Sequence, residues 1–209
     1  MWLHCVRHGE SIHNAEGRIQ GQLDVPLSDS GRQQGEAIAA ALGELPIEAI
    51  YASPLQRALE TAQIVARRLS LPVQIDPRLQ EINVGVFQGR LRSEVAELYP
   101  DAFARWTAGE PDFVIPGGES RRGLQQRGCA ALRDIAAAGH EHAAVIAHGR
   151  LLVVALAALV SIPAGQAAPS LENASITTIR HDGDDRWTLA GFNRIEHLRG
   201  VGLSGAGDL

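Results

Sequence analysis

The chain has 209 residues, of which 45 % are hydrophobic and 21 % charged, and it carries a formal net charge of −5. This composition is typical of one soluble globular domain and excludes a disordered chain, while the negative charge argues against a nucleic-acid-binding surface, which needs clustered cations. All 19 basic residues are arginine, which excludes chemistry that depends on a Schiff-base or P-loop lysine.

The first part of the chain alternates between strand and helix patterns. An apolar strand over Trp2–Val6 ends at Arg7-His8-Gly9, where a loop begins. Residues typical of turns and helix caps mark the ends of the next strands and helices. They predict a helix from Ser28 to about Leu42, a strand over Ala49–Ala52, a helix from Ser53-Pro54 to about Leu69 and a strand over Val73–Ile75. In the second of these helices, Ser53 is the expected N-cap and Pro54 the expected first-turn residue.

Residues 82–118 contain aromatic residues, glycines and prolines, which predict an irregular segment with two short helices near Glu94 and Phe103. The remaining predicted elements are a helix over Glu119–Ala138, a strand over Ala143–Ala147, a helix over Gly149–Val160 and two late strands, Ile176–His181 and Arg186–Phe192, joined by an Asp-Gly turn. Because residues 148–150 interrupt the apolar run over Ala143–Val160, a strand, a turn and a buried helix explain it better than a membrane span. Strands that alternate with helices predict a three-layer α/β/α sandwich on a mostly parallel sheet.

Four chemically active segments lie where predicted strands pass into helices. Arg7-His8 follows the first strand, Arg57 lies near the start of the second long helix, Glu81 follows the third strand, and His148 ends the most apolar strand. Ligands of α/β folds bind beyond the carboxyl ends of the strands. One edge of the fold is therefore expected to gather two histidines, two arginines and a carboxylate.

These groups fit the hydrolysis of phosphate monoesters. Arginine forks hold a phosphate dianion without losing charge, and a neutral imidazole is a nucleophile at physiological pH. A second imidazole, protonated in the anionic site, adds to the clamp, and a carboxyl shielded among apolar residues can hold a proton for the leaving alcohol. Because these cations supply the positive charge that the transition state needs, no metal and no other cofactor is predicted.

Five segments carry motifs in the order found in a known family. They are Val6-Arg7-His8-Gly9-Glu10-Ser11 with Asn14, Gly21–Ser28, Ser53–Ala62, Gly117–Ser120 and Val145–Gly149. Through them the chain, over about residues 2–192, resembles the histidine phosphatase superfamily, which includes cofactor-dependent phosphoglycerate mutases and acid phosphatases. The resemblance implies a phosphoglycerate mutase-like fold and a single domain over residues 1–209, with a cap-like insertion at about 82–118.

The resemblance also implies roles for the matching residues. His8 would be the nucleophile that carries the phosphoryl group, and Glu81 would be the general acid and then the base that activates water. The catalytic set would comprise His8, Glu81, His148, Arg7 and Arg57. The phosphate pocket would comprise Arg7, His8, Asn14, Arg57, His148 and Gly149, and the substrate contacts would be Gln20, Gly21 and Gln22.

Two positions depart from the family pattern. The family often has Glu-Gly where this chain has Gln88-Gly89, and often a second glycine where it has Arg150. Neither position belongs to the expected catalytic set, so the departures affect the choice of substrate. Four further arginines are interpreted as solvated surface charges, with contact to a second anionic group as the alternative: Arg90, Arg92, Arg121 and Arg122.

Hydrolysis is favoured over a mutase reaction, because the family's mutases carry a lysine-containing stretch after the glutamate and this chain contains no lysine. A cofactor-dependent phosphoglycerate mutase and a non-catalytic phosphate-binding protein are the alternatives. We expect a cytoplasmic protein that binds a small phosphorylated substrate and neither nucleic acid nor membrane. A homodimer is left open.

Overall fold

A computed structural model describes residues 1–160 and 170–201 of the chain. The strands in these residues are β1 (Trp2–Arg7), β2 (Ala49–Ala52), β3 (Val73–Ile75), β4 (His142–Ala147), β5 (Ile176–His181) and β6 (Trp187–Arg194). The helices are α1 (Ile12–Ala15), α2 (Asp29–Gly43), α3 (Gln56–Leu69), α4 (Arg92–Leu98), α5 (Pro100–Thr107), α6 (Arg121–Ala136) and α7 (Gly149–Leu159).

The strands form one sheet in the order β3-β2-β4-β1-β5-β6. The first four strands in this order are parallel, whereas β5 and β6 extend the sheet beside β1 in antiparallel pairs. The register places Arg7 beside Ala147 and Ala52 beside Ile146, so β1, β2 and β4 end at the same edge. The loops that follow these strands therefore converge at that edge.

Helices cover both faces of the sheet, and each face has its own apolar core. On one face, Ile38 of α2 and Val65 of α3 belong to the same buried cluster as Val6 of β1. On the other face, Leu132 of α6 and Leu152 of α7 belong to a second cluster, which continues into the segment after β3. The fold is therefore the predicted three-layer α/β/α sandwich on a mostly parallel sheet.

The predicted strands and long helices are confirmed, and the two short helices expected near Glu94 and Phe103 are α4 and α5. The predicted cap of α3 is wrong. Leu55 occupies the N-cap position without a side-chain hydrogen bond, and the backbone N–H of Gln56 donates to Oδ1 of Asp24 at 2.7 Å. A distant carboxylate thus supplies the cap that the sequence pattern assigns to the nearest serine.

The Asp-Gly pair predicted to join the last two strands lies in their connection, which is one residue longer than predicted. His181 pairs with Trp187, so the connecting loop spans residues 182–186. Within this loop Asp185 adopts a positive φ, and Arg133 of α6 donates two hydrogen bonds of 2.8 Å to its carboxylate. A contact with a distant helix therefore helps to fix the loop, and strand patterns alone do not encode such a contact.

The apolar run over Ala143–Val160 is divided between β4 and α7, as predicted. His148 and Gly149 lie at the junction of the two elements. Within residues 1–160 and 170–201, no helix has both the length and the apolar character needed to cross a bilayer.

Candidate active site

The converging ends of the parallel strands bring the predicted groups together. Arg7 ends β1 and His8 follows it, His148 follows β4, Arg57 lies in the first turn of α3, and Glu81 lies in the loop after β3. All five side chains are buried, with Glu81 5 % exposed and each of the others at most 1 % exposed. Such a concentration of buried ionisable groups is a frequent property of functional sites.

His8 has one ring nitrogen fixed as a donor and the other as an acceptor. Its Nδ1 lies 2.6 Å from the carbonyl oxygen of Gly9, which can only accept, so Nδ1 carries the hydrogen. Nε2 accepts a hydrogen bond from Nε of Arg57 at 3.2 Å. Burial, followed by the charges of Arg57 and Arg7, holds the pKa of His8 well below its ordinary value. The ring is therefore neutral near pH 7, and the lone pair of Nε2 can attack an electrophile.

Arg57 is anchored to the loop that precedes α2. Its Nη1 donates to the carbonyl oxygen of Leu23 at 2.9 Å, and its Nη2 donates to that of Gly21 at 2.8 Å. Gly21 adopts a φ of +54°, which glycine tolerates at little cost. The guanidinium is thus held in place by the protein itself, and such preorganisation is what electrostatic stabilisation of a transition state requires.

Arg7 passes close to the start of α7. Its Nη1 donates to the carbonyl oxygen of Leu171. An ideal Cβ at Gly149 would lie 3.3 Å from Nε and 3.5 Å from Cδ of Arg7. Gly149 therefore leaves room for the Arg7 side chain, while the predicted contact of Gly149 with phosphate stays a prediction.

His148 faces His8, with 5.1 Å between the ring centroids. Its Nε2 lies 2.8 Å from Oγ of Ser53, and its Nδ1 has no hydrogen-bond partner in the described part of the chain. Burial, followed by the charge of Arg57, holds the pKa of His148 well below its ordinary value. Among the protein's own groups the ring is therefore neutral near pH 7, and its protonation beside a bound anion stays a prediction.

We predict that anion binding makes His148 take up a proton. Sulfate is a suitable probe because it stays a dianion over about pH 6 to 8, and its charge raises the pKa of the ring from the lowered value. Sulfate affinity should therefore increase as the pH falls through this range. Calorimetry in buffers of different ionisation enthalpy should detect the uptake in the wild type and in His140→Gln but not in His148→Gln. An affinity that does not change with pH would contradict this account of the site.

Glu81 is held at the N-terminus of α7. Its Oε2 accepts a hydrogen bond from the backbone N–H of Arg150 at 3.0 Å, and its Oε1 accepts from those of Leu151 at 3.0 Å and Ile82 at 2.8 Å. The carboxyl is shielded beside the buried Ile82 and Leu151, and the first turn of α7 in addition offers it backbone donors, which the sequence did not predict. Oε2 accepts one hydrogen bond fewer than Oε1, which leaves it an open acceptor position.

Arg127 of α6 fixes the main chain that carries Glu81. Its guanidinium donates to three carbonyl oxygens within residues 78–81, at 2.5 to 2.8 Å. Its other partner is Glu119, whose carboxylate accepts from Nε at 3.1 Å and from Nη2 at 2.8 Å. The Gly117–Ser120 motif therefore holds Arg127 in position, and Arg127 in turn positions the loop of Glu81.

We predict that Arg127→Met lowers kcat/KM, which reports the first step of the reaction, by about tenfold or more for alkyl phosphates and much less for p-nitrophenyl phosphate. Alkyl alcohols leave only if a proton reaches them, whereas p-nitrophenolate leaves without one, so a displaced Glu81 affects mainly the alkyl esters. Steady-state kinetics on both ester types would measure the difference. Arg133→Met removes a similar ion pair from the same helix and should leave the ratio unchanged. Equal losses on both ester types in Arg127→Met would indicate a merely structural role.

Asn14 has its amide oxygen fixed by neighbouring donors. Oδ1 accepts from the backbone N–H of Ser11 at 3.1 Å, from Oγ of Ser11 at 3.0 Å and from Nδ2 of Asn173 at 3.2 Å. The side chain lines the cleft, so Nδ2 is the group with which Asn14 would donate to a phosphate. That contact stays a prediction.

The three expected substrate contacts occupy different positions. Gln20 is 4 % exposed and lines the cleft, and its Nε2 has no hydrogen-bond partner among the described residues, so it can donate to a ligand. Gly21 also lines the cleft, where its carbonyl holds Arg57. The Nε2 of Gln22 instead donates to the carbonyl oxygen of Glu81 at 3.0 Å, and this contact supports the glutamate.

A cleft enclosing about 580 Å³ of empty space, which includes open solvent, lies beside Arg57 and Glu81. The wall formed by residues 82–118 contributes Val84, Arg92 and Trp106. The remaining lining residues are His13, Asn14, Gly17, Arg18, Ile19, Gln20, Gly21, Ile82 and Arg150. Arg92 is an exposed residue, as the sequence interpretation has it, and it lies at the cleft, where contact with an anionic group is open to it.

The residues that support the site from farther along the chain were not found by sequence reasoning. Ser53 binds His148, Asn173 binds Asn14, and Arg127 holds the loop of Glu81. Two of the quoted motifs carried a signal, because Ser53–Ala62 contains the partner of His148 and Gly117–Ser120 contains the carboxylate partner of Arg127.

Residues 3–195 match the model of the histidine phosphatase superfamily, branch 1. Phosphoglycerate mutase-like protein 4 of Arabidopsis thaliana is 36 % identical over 97 % of this chain and 89 % of its own. A metal-independent phosphoserine phosphatase of the same plant is 38 % identical over 95 % of this chain and 83 % of its own. The solved structure of a mycobacterial glucosyl-3-phosphoglycerate phosphatase superposes with a TM-score of 0.82 at 30 % identity, covering 93 % of this chain and 99 % of that one.

Proposed function

The chain belongs to the histidine phosphatase superfamily and is a phosphoric monoester hydrolase, and we propose that it acts without a metal through a phosphohistidine on His8. One observation carries this proposal. The Nδ1–H of His8 is held by a backbone carbonyl and its Nε2 lone pair is directed to the buried guanidinium of Arg57. A neutral nucleophile beside a fixed cation suits attack on a phosphate dianion.

In the first step, Nε2 of His8 forms a bond to phosphorus and the bond from phosphorus to the ester oxygen breaks. Arg7 and Arg57 stabilise the charge on the phosphoryl oxygens, and His148, protonated once the dianion is bound, adds a third positive group. Oε2 of Glu81 gives a proton to the leaving alcohol. In the second step, Glu81 takes a proton from water, which attacks phosphorus and releases His8 and inorganic phosphate.

We further propose that residues 82–118 act as a cap, within a single domain, that selects the leaving group. Val84, Arg92 and Trp106 of this segment line the cleft, so the alcohol part of a substrate would contact them. The relatives named above act, by their names, on phosphoserine and on glucosyl-3-phosphoglycerate. A small phosphorylated metabolite is therefore the proposed substrate class.

The release of inorganic phosphate from a panel of esters, with EDTA present throughout, tests the proposal. The panel comprises p-nitrophenyl phosphate, phosphoserine, 3-phosphoglycerate, α-ribazole phosphate and sugar phosphates. Release in EDTA is the expected result. Isomerisation of 3-phosphoglycerate in the presence of bisphosphoglycerate, with no release from any ester, would instead support the mutase alternative.

A further inference from the structure

The cleft contains more arginine than the proposed phosphate pocket uses. Arg92, at the start of α4, and Arg150, in the first turn of α7, both line it together with Trp106. The backbone N–H of Arg150 binds Oε2 of Glu81, the proposed proton donor to the leaving alcohol. The side chain of Arg150 therefore starts on the leaving-group side of the reaction centre.

Arg92 is placed to meet an anion at this position. Its guanidinium carbon lies 5.3 Å from the ring centroid of Phe103, so the ring supports one side of the side chain. Arg92 is an exposed residue, and the partial desolvation of its guanidinium lowers its pKa. Within the described part of the chain it forms no ion pair with a carboxylate. Other arginines of this region do form such pairs, as Arg105 does with Glu110 and Arg122 with Asp112.

Arg121 adds a further positive charge behind the cleft wall. Its Nη2 donates to the carbonyl oxygen of Trp106 at 2.6 Å, which fixes the tryptophan, and its Nε has no hydrogen-bond partner among the described residues. Burial, followed by the charge of Arg150, lowers the pKa of Arg121. Arg121 and Arg150 repel one another, and no described carboxylate pairs with Arg92 or Arg121. A ligand that brings negative charge would therefore stabilise these positive groups.

We propose that Arg92 and Arg150, with Arg121 behind them, form a subsite that binds a carboxylate on the leaving group. The preferred substrates are then phosphate esters of hydroxy acids. A planar guanidinium matches a carboxylate through two parallel hydrogen bonds. This inference rests on the proposed phosphatase activity, and it assigns a role to Arg150, one of the two departures from the family pattern.

Two matched esters test the subsite. 3-Phosphoglycerate and glycerol 3-phosphate share the phosphate and the carbon chain and differ in the carboxylate. We expect kcat/KM to be about tenfold or more higher for 3-phosphoglycerate, and Arg92→Met and Arg150→Met each to reduce that ratio by about tenfold, mainly through KM. Arg150→Lys should retain part of the preference, and Arg122→Met, which removes a surface ion pair near the start of α6, should retain all of it.

The outcomes separate the subsite from the proposed function. A wild-type ratio near one, with p-nitrophenyl phosphate still hydrolysed, would overturn the subsite and leave the phosphatase activity intact. A preference for fructose 1,6-bisphosphate over fructose 6-phosphate, without a preference for 3-phosphoglycerate, would overturn the assignment of a carboxylate. It would indicate that the subsite binds a second phosphate group. The absence of hydrolysis of every ester would overturn the proposed function together with the subsite.

Discussion

Replacing His8 with alanine or asparagine should reduce kcat by about 10⁴-fold or more on every ester, including p-nitrophenyl phosphate. Neither side chain offers a nitrogen lone pair at the position of Nε2, which Arg57 now faces at 3.2 Å. Because a good leaving group does not remove the need for a nucleophile, the loss should be similar for aryl and alkyl esters. Initial rates of phosphate release would measure it.

The matched control for this experiment is His140→Asn. His140 precedes β4 and has Glu48 as a partner at 3.9 Å, away from the carboxyl ends of the strands. The control should match the wild type in rate, and thermal unfolding should establish that the His8 variants are folded. Folded His8→Ala protein that releases phosphate at the wild-type rate would contradict the proposed nucleophile.

Replacing Glu81 with glutamine should reduce kcat for alkyl phosphates by about 10² to 10⁴-fold, because the amide cannot give a proton to the alcohol. The amide oxygen can still accept from the backbone N–H of Leu151, so the loop should keep its position. With p-nitrophenyl phosphate the first step needs no proton. Its product, the phosphohistidine, should then accumulate because Glu81 no longer activates water.

A rapid-mixing experiment would separate the two steps in Glu81→Gln. A burst of p-nitrophenol of about one equivalent per enzyme, followed by slow turnover, is the expected record. Glu110→Gln, which alters an exposed carboxylate of the cap segment, should behave as the wild type. Equal slowing of both ester types in Glu81→Gln, without a burst, would show that Glu81 is not the proton donor.

Most of the fold could be predicted from the sequence, because the residue patterns that specify its strands and helices are local in the chain. The buried strand Trp2–Arg7 is a run of mostly apolar residues, and α2 begins where Ser28 accepts from the backbone N–H of Gly31 at 3.0 Å. Patterns of this kind depend on residues close together in the chain. The order β3-β2-β4-β1 then follows the usual connections of a mostly parallel sheet.

The features that the sequence did not predict all depend on contacts between residues far apart in the chain. The side chain of Ser53 binds His148 instead of capping α3, and Asp24 takes over the cap. Glu81 meets the backbone of α7, about seventy residues later, so its surroundings could not be read from its sequence neighbours. Arg127 occupies an ordinary position of α6, and only the fold places its guanidinium under the loop of Glu81.

The phosphoryl group on His8 is the central claim, and its direct detection is the most decisive measurement. Glu81→Gln protein mixed with p-nitrophenyl phosphate in EDTA should be quenched in alkali, digested and analysed by mass spectrometry. The account predicts an acid-labile, alkali-stable phosphate on the peptide that contains His8, formed at the rate of the burst and missing in a Glu81→Gln/His8→Asn double variant. Phosphate release that continues while every peptide stays unmodified would contradict the account and indicate direct attack by water.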